Sequence, residues 1–159
     1  MRAVHPLAFN PTLQFRYVVL TTKLPMALFY ARSADQPSFD NNPIEIAHGN
    51  GSFFIKGKTK WNDINLRCYQ FEGITVGQVW KYFQQHQLVR DAKDFYTDFY
   101  KHDMQLTILN PLEIPIGTWA LRGSFFTSVN FGQMDWGGEE ITTIDIGIKY
   151  DFAEYRNFI

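Results

Sequence analysis

The chain has 159 residues, with 15 lysines and arginines against 16 aspartates and glutamates, and a formal net charge of −1 at pH 7. Such a chain can bury one good core, and its balanced charge provides no positive field to hold phosphates, which argues against a conventional nucleic-acid-binding protein. Charged residues are scarce at 19% and aromatic residues reach 17%, so we expect some aromatic side chains to face a partner.

The first half of the chain predicts two strands separated by a loop. Apolar and polar residues alternate from Leu13 to Leu20 and from Lys60 to Gln70, the two-residue period of a half-buried strand. The stretch from Pro37 to Gly51 has loop composition, with a short strand from Ile44 to Ala47 inside it. The predicted core positions of the second strand are Ile64, Leu66 and Cys68.

A helix follows. From Ile74 to Leu88, apolar residues recur every three or four positions, which is typical of an amphipathic helix, and Thr75 is a plausible N-cap. The predicted core positions of this helix are Val79, Trp80 and Phe83. The segment from Asp91 to Asp103 has no clean period and is interpreted as a loop or a short helical turn.

The last third predicts three more strands. They run over Gln105 to Leu109, Gly117 to Phe126, and Ile141 to Phe152, with turn residues between them. Their predicted core positions are Trp119, Ile144, Ile146 and Ile148. Six or more strands and one helix predict a single, mainly β domain over residues 1–159, an antiparallel sandwich or open barrel.

Little in the sequence indicates chemistry. The four histidines lie far apart, without metal-ligand spacing, and are interpreted as solvated or capping side chains. The single cysteine, Cys68, allows no intrachain disulfide and is interpreted as a buried, inert thiol. No apolar stretch has the length of a membrane span or the form of an export signal. We expect no catalytic activity, no metal and no cofactor.

The tryptophans leave two interpretations open. They could stack on sugars, which would make the chain a monomeric carbohydrate-binding β-sandwich. They could instead belong to the core and to a protein interface, where aromatic residues are enriched. The four residues are Trp61, Trp80, Trp119 and Trp136.

Residues 57–152 resemble, in order, the tail tube proteins of contractile-tailed, T4-type bacteriophages. A long strand, the one substantial helix and a C-terminal block of strands carry this resemblance. The similar stretches are GKTKWNDI from Gly57 to Ile64, the helix with Val79, Trp80 and Phe83, Thr118-Trp119, GSFFTSVN from Gly123 to Asn130, Met134-Asp135-Trp136, and ITTIDIGIKYDF from Ile141 to Phe152.

The resemblance implies a β subunit that assembles into a hexameric ring with a continuous inner β-barrel. Rings would stack into a hollow tube that carries the genome, without specific DNA binding, inside a sheath in the virion. Four strands per subunit give 24 strands, which at ~4.8 Å spacing and ~40° tilt enclose a barrel roughly 45 Å across. The implied partners are a sheath protein, a baseplate initiator and a tail terminator, and synthesis would occur in the host cytoplasm. The alternatives within this class are a baseplate tube initiator and the tube of a phage-like injection system.

The same resemblance suggests two sets of site residues. A conduit for DNA should have few unpaired cations in its bore, so we expect a weakly acidic lining. The candidate lumen-facing residues are Thr143, Asp145 and Asp151, with Lys149 as an exception, although burial in another interface is an open alternative. The loop from Asn41 to Gly57 is the candidate contact between rings, through Asn41, Ile44, Glu45, His48, Asn50 and Lys56.

Overall fold

The computed structural model describes residues 17–21, 31–70, 75–86 and 96–158, which form nine strands and two helices. The elements, in chain order, are β1 (Tyr17–Thr21), β2 (Ala31–Ala34), β3 (Phe39–His48), β4 (Gly51–Trp61), β5 (Ile64–Tyr69), α1 (Thr75–His86), α2 (Thr97–Tyr100), β6 (His102–Leu109), β7 (Pro115–Asn130), β8 (Thr143–Lys149) and β9 (Phe152–Asn157). The predicted fold class is confirmed: the chain is mainly β and antiparallel, with one substantial helix.

Seven of the strands form one sheet, in the order β1-β6-β7-β8-β5-β2, with β9 paired to β7. The 16-residue strand β7 joins its two halves. The first half of β7 pairs with β6 and with β9, and its second half pairs with β8. The remaining two strands, β3 and β4, form a separate hairpin.

Strands β8 and β9 behave as one long strand with a bend. Asn130 pairs with Asp145 at one end of β7, and Gly117 pairs with Asn157 at the other. The polypeptide from β8 through β9 therefore stays antiparallel to β7 across the interruption. Opposite the bend, Gly123 adopts a φ of 61°, where a Cβ would collide with the Asp151 carboxylate. The prediction of a single regular strand ending at Phe152 is therefore wrong.

One core unites both halves of the sheet with α1. The buried side chains of this core include the predicted Ile64, Leu66, Cys68, Val79, Ile144, Ile146 and Ile148. Phe83 and Trp119 are partly buried and pack against it. Trp80, which the helical period assigned to the core, is 43% exposed. It follows Val79 by one residue, about 100° around the helix, and therefore lies beside the buried stripe and outside it.

Several predicted boundaries shift. Residues 13–16 of the first predicted strand and residues 91–95 of the irregular segment lie outside the described residues, as does the side chain of Thr75. The described part of the irregular segment contains α2 and the start of β6. Phe152 is exposed because it follows the bend, where the alternation of β8 ends.

The largest correction concerns residues 37–61. The stretch predicted as a loop with a short strand is a hairpin of ten and eleven residues, joined by a two-residue turn at Gly49 and Asn50. The strand predicted from Lys60 to Gln70 is interrupted at Asn62. The Asn62 amide donates to Ser38 Oγ at 3.1 Å and to Asp40 Oδ2 at 3.0 Å, which holds the base of the hairpin as β4 gives way to β5.

The fully buried position of Ile146 predicts the effect of a charge in β8. Ile146→Asp should lower the free energy of unfolding by about 3–5 kcal/mol, because the new carboxylate has no partner in the core. Urea unfolding of soluble protein, or loss of soluble yield, measures the effect. Asn65→Asp places the same charge on the exposed side of the neighbouring strand and should change stability by less than about 1 kcal/mol. Similar stability losses in both variants would contradict the assignment.

Candidate functional site

The hairpin of β3 and β4, here called the arm, projects from the sheet. Every residue of β3 and nine of the eleven residues of β4 are exposed. At its base, the Trp61 ring lies 5.1 Å from that of Phe39 and 5.8 Å from that of Tyr150, measured between centroids. The arm is thus attached to the body by an aromatic base and is otherwise uncovered.

The arm has an apolar face near its tip. Ile44 pairs with Ile55, and Ile46 pairs with Phe53, so these four side chains share one side of the two strands. All four are exposed. An isolated two-stranded hairpin is marginally stable in water. A second surface that covers this apolar face would therefore stabilise the arm.

A β-bulge separates the tip from the base. The register shifts between Asn41 and Pro43, so that Gly57 and Lys58 together oppose Asn42. A Cβ on Gly57 would collide with the Asn42 carbonyl oxygen, which explains why this position has no side chain. Asn42 lies two residues from Ile44 on β3, so Lys58 continues the apolar face toward the base.

The structure brings the six candidate inter-ring residues together on the arm. They occupy both of its strands and the turn between them: Asn41, Ile44, Glu45 and His48 on β3, Asn50 in the turn, and Lys56 on β4. They belong to a regular hairpin, where the sequence analysis expected a loop.

Three of the four candidate lumen-facing residues share the outer side of β8. Thr143 and Asp145 are half-buried and Lys149 is exposed, while the residues that alternate with them are in the core. Arg67 lies directly opposite Asp145 on β5, and its Nε donates to Asp145 Oδ1 at 2.6 Å. Lys149 Nζ lies 3.9 Å from Asp63 Oδ1. This surface, here called the polar face, therefore pairs its carboxylates with cations.

Asp151, the fourth candidate, lies apart from the other three at the bend between β8 and β9. Its carboxylate accepts hydrogen bonds from Lys101 Nζ at 2.9 Å, and its backbone N–H donates to the Arg122 carbonyl at 3.0 Å. Nearby, Arg122 Nη1 donates to Asp103 Oδ2 at 2.6 Å. These contacts indicate that Asp151 helps to hold the bend.

The connection between β7 and β8 contains Trp136, one of the four tryptophans for which sugar stacking and a place in the core or an interface were both left open. This segment, residues 131–142, is here called the acidic loop, since it has three acidic residues and no basic one. Trp136 and Met134 are 107% and 85% exposed. Asp135 Oδ1 accepts from the Gly137 N–H at 3.0 Å, which forms the turn that presents Trp136. In the sequence, a tryptophan beside acidic and glycine residues is the pattern that indicates this exposed turn.

Three properties of the described residues concern metal binding, membrane crossing and thiol reactivity. Among residues 17–21, 31–70, 75–86 and 96–158, no group of three histidine, cysteine or acidic side chains could hold a metal ion. In the same part of the chain, no helix has both the length and the apolar character needed to cross a membrane. Burial in the core, followed by the charge of Asp145, raises the pKa of the Cys68 thiol to about 11, so the thiol is protonated at neutral pH.

Comparisons with known proteins give matches in structure and none in sequence. No family model and no curated protein matches the chain. A chain of the PVC extracellular contractile injection system, solved as the extended sheath–tube complex, is 20% identical with a TM-score of 0.75, over 94% of both chains. A chain from the extended sheath/tube terminator of the same system is 18% identical with a TM-score of 0.76, over 94% of this chain and 99% of that one.

A third match comes from the six-fold symmetrised baseplate of the anti-feeding prophage. That chain is 14% identical with a TM-score of 0.73, over 94% of this chain and 97% of that one. At these identities the likeness shows the fold. The chain has the fold found in these contractile injection assemblies, and the sequence resemblance to tail tube proteins is confirmed at that level.

The raised pKa of Cys68 predicts a loss of stability in alkali. The unfolded thiol ionises from its ordinary value of 9.0, whereas the folded thiol stays protonated to about 11, so stability is fully present below pH 9 and declines as the pH rises. The decline should reach roughly 2 kcal/mol by pH 11. Urea midpoints at pH 8 to 11 measure it, and Cys68→Ala should reduce the slope.

Tyr82 provides the control for that slope. Burial raises its pKa to about 12 from 10.0, so Tyr82→Phe should change the decline only above about pH 10. An unchanged slope between pH 9 and 10 in Cys68→Ala would contradict the role given to the thiol.

Proposed function

We propose that this chain is a tube subunit of a contractile injection apparatus, in which six copies form a ring and rings stack into a hollow conduit. The observation that carries this proposal is the fold match along almost the whole of both chains to components of sheath–tube and terminator assemblies. The chain would be a structural protein without catalytic activity. Its partners would be a sheath protein, a baseplate initiator and a terminator, in an assembled particle.

The open edges of the sheet support assembly with further copies. β1 and β2 lie at the two ends of the strand order, and among the described residues no strand pairs with their outer edges. Unpaired strand edges offer N–H and C=O groups to another chain. A ring in which neighbouring copies pair their edges satisfies these groups and closes the sheet into a barrel.

The arm supports contact between copies beyond the edges. Its apolar tip has no cover within the described chain, and the six candidate inter-ring residues lie on it. A hairpin of ten or eleven residues per strand extends about 35 Å, far enough to reach across a neighbouring subunit. The arm would therefore link a ring to the next one.

The polar face is the proposed lining of the bore. Its charges are paired in the single chain, with Arg67 held by Asp145 and Lys149 near Asp63. A cation that is already paired with a carboxylate contributes less to phosphate binding, since releasing it requires breaking the pair. Such a lining lets DNA pass without being retained. Arg67 offsets the negative charge of Asp145 on the polar face. The weakly acidic bore therefore stays a prediction.

A tube-initiating ring at the baseplate is the second candidate function, because one of the matched chains belongs to a baseplate structure. The two functions differ in abundance. A tube subunit is present in many rings per particle, whereas an initiator contributes a single ring. Whether the particle is a phage tail or a phage-like injection system depends on the presence of a genome-filled head.

Assembly of the purified chain tests the proposal. Negative-stain microscopy should show rings with six-fold symmetry, and stacks of them at high concentration. In particles purified from the source cell, the tube role predicts many copies per particle and the initiator role predicts six. A protein that stays a monomer under both conditions and binds carbohydrate would overturn the proposal.

Asp145→Lys tests the lining. The change places a lysine beside Arg67 and removes the pairing carboxylate, so assembled tubes should retain duplex DNA, with a retention that falls as salt rises. Filter retention of labelled DNA measures this. The double variant Arg67→Gln/Asp145→Asn removes the pair without adding charge and should release DNA like the unchanged protein. If tubes of Asp145→Lys retain no more DNA than tubes of the unchanged protein, Asp145 does not line the bore.

A further inference from the structure

The arm and the acidic loop each combine exposed apolar side chains with charged residues. The apolar face of the arm continues at the bulge into Lys58, and Lys60 lies opposite Asp40 beyond it. The acidic loop combines exposed Trp136 and Met134 with carboxylates. Each surface thus places exposed apolar side chains next to charges, namely Lys58, Lys60 and Asp40 on the arm and three carboxylates on the acidic loop. The net charge is positive on this part of the arm and negative on the acidic loop.

The charges on both surfaces are available for a partner. Lys58, Glu139 and Glu140 take part in no ion pair among the described residues, whereas the polar face and the bend pair theirs. Opposite charges that are unpaired in the single chain and adjacent to apolar surface are the pattern of a complementary interface.

The arm and the acidic loop of the same chain do not cover each other. The arm is attached near Tyr150 through Trp61, beyond the end of β8, and the acidic loop enters β8 at its start, Thr143. Seven residues of strand place these points about 23 Å apart. The exposure of Phe53 and Trp136 shows directly that each surface is open. Contact between them therefore requires two chains.

We propose that the apolar face of the arm, together with Lys58 and Lys60, binds the acidic loop of a second copy of this chain. Trp136 and Met134 would pack on Ile44, Ile46, Phe53 and Ile55, and Glu139 and Glu140 would face the lysines. Because each copy carries both surfaces, the contact is heterologous and can be repeated from copy to copy. This inference rests on the proposed function, since it specifies which surfaces join subunits of the tube.

Charge reversal tests the contact. Lys58→Glu/Lys60→Glu and Glu139→Lys/Glu140→Lys should each abolish stacking of rings, since like charges would then meet. The variant with all four changes restores opposite charges at every contact and should recover stacking. Lys81→Glu, on the exposed side of α1, is the matched control and should stack normally. Normal stacking of either double variant, or no recovery in the fourfold variant, would overturn the inference.

Cross-linking provides a second measurement that does not depend on charge. A chain with Asn42→Cys and Gln133→Cys, exposed positions beside the proposed packing residues, should give ladders of covalent multimers with a short bismaleimide, since the one native cysteine is buried. Asn42→Cys combined with Leu112→Cys, an exposed position on another turn, should give none. Rings without ladders in the first variant would overturn this contact and leave the proposed function intact. A monomer that forms no rings, either purified or in particles from the source cell, and that binds carbohydrate would overturn both.

Discussion

The arm exposes apolar side chains that no described part of the chain covers. A two-stranded hairpin gains little stability alone, and this one exposes isoleucine and phenylalanine side chains along its tip while only its aromatic base meets the body. None of the buried core residues lies on the arm, so the arm adds exposed apolar surface that the described part of the chain does not bury. Such a surface is retained in a protein when another molecule covers it.

The body of the chain is organised around the long strand β7. The long pairing of β7 with β8 and β9 allows one strand to serve two half-sheets, and the bend at Gly123 lets both halves contribute to a single core. The ion pairs near the bend, Lys101 with Asp151 and Arg122 with Asp103, are exposed and each contributes little to stability. They connect the two halves at the bend, and in the proposed ring the angle at this bend would set the curvature of one subunit.

The sequence predicted those elements whose two faces differ. Strands β5 and β8 alternate cleanly because one side meets the core, and Leu66, Ile144 and Ile146 are fully buried as expected. The arm was missed because both of its faces are exposed, so its residues show no burial pattern and its Pro, Asn and Gly content is typical of a loop. The bend was missed because the alternation of β8 reaches Tyr150 without interruption, and only the backbone of Gly123 shows the change of direction. The same reason limits the prediction of candidate site residues. A surface that is covered only by a second molecule is exposed in the single chain, so its residues show no alternation of apolar and polar side chains.

In the proposed tube, the location of the charges assigns assembly and passage to different surfaces. On the polar face and at the bend, carboxylates and cations meet within one chain, which leaves little net field toward solvent. On the arm and the acidic loop, Lys58, Glu139 and Glu140 form no ion pair among the described residues, so a second copy could supply their counter-charges. A conduit benefits from the first arrangement because its lining should not bind what moves through it. A repeating wall benefits from the second, since complementary charges orient each new subunit and fix its register before apolar surface is buried. Because the proposed contact is open-ended along the axis, it sets no length of its own, and the length of the proposed tube would have to come from another component.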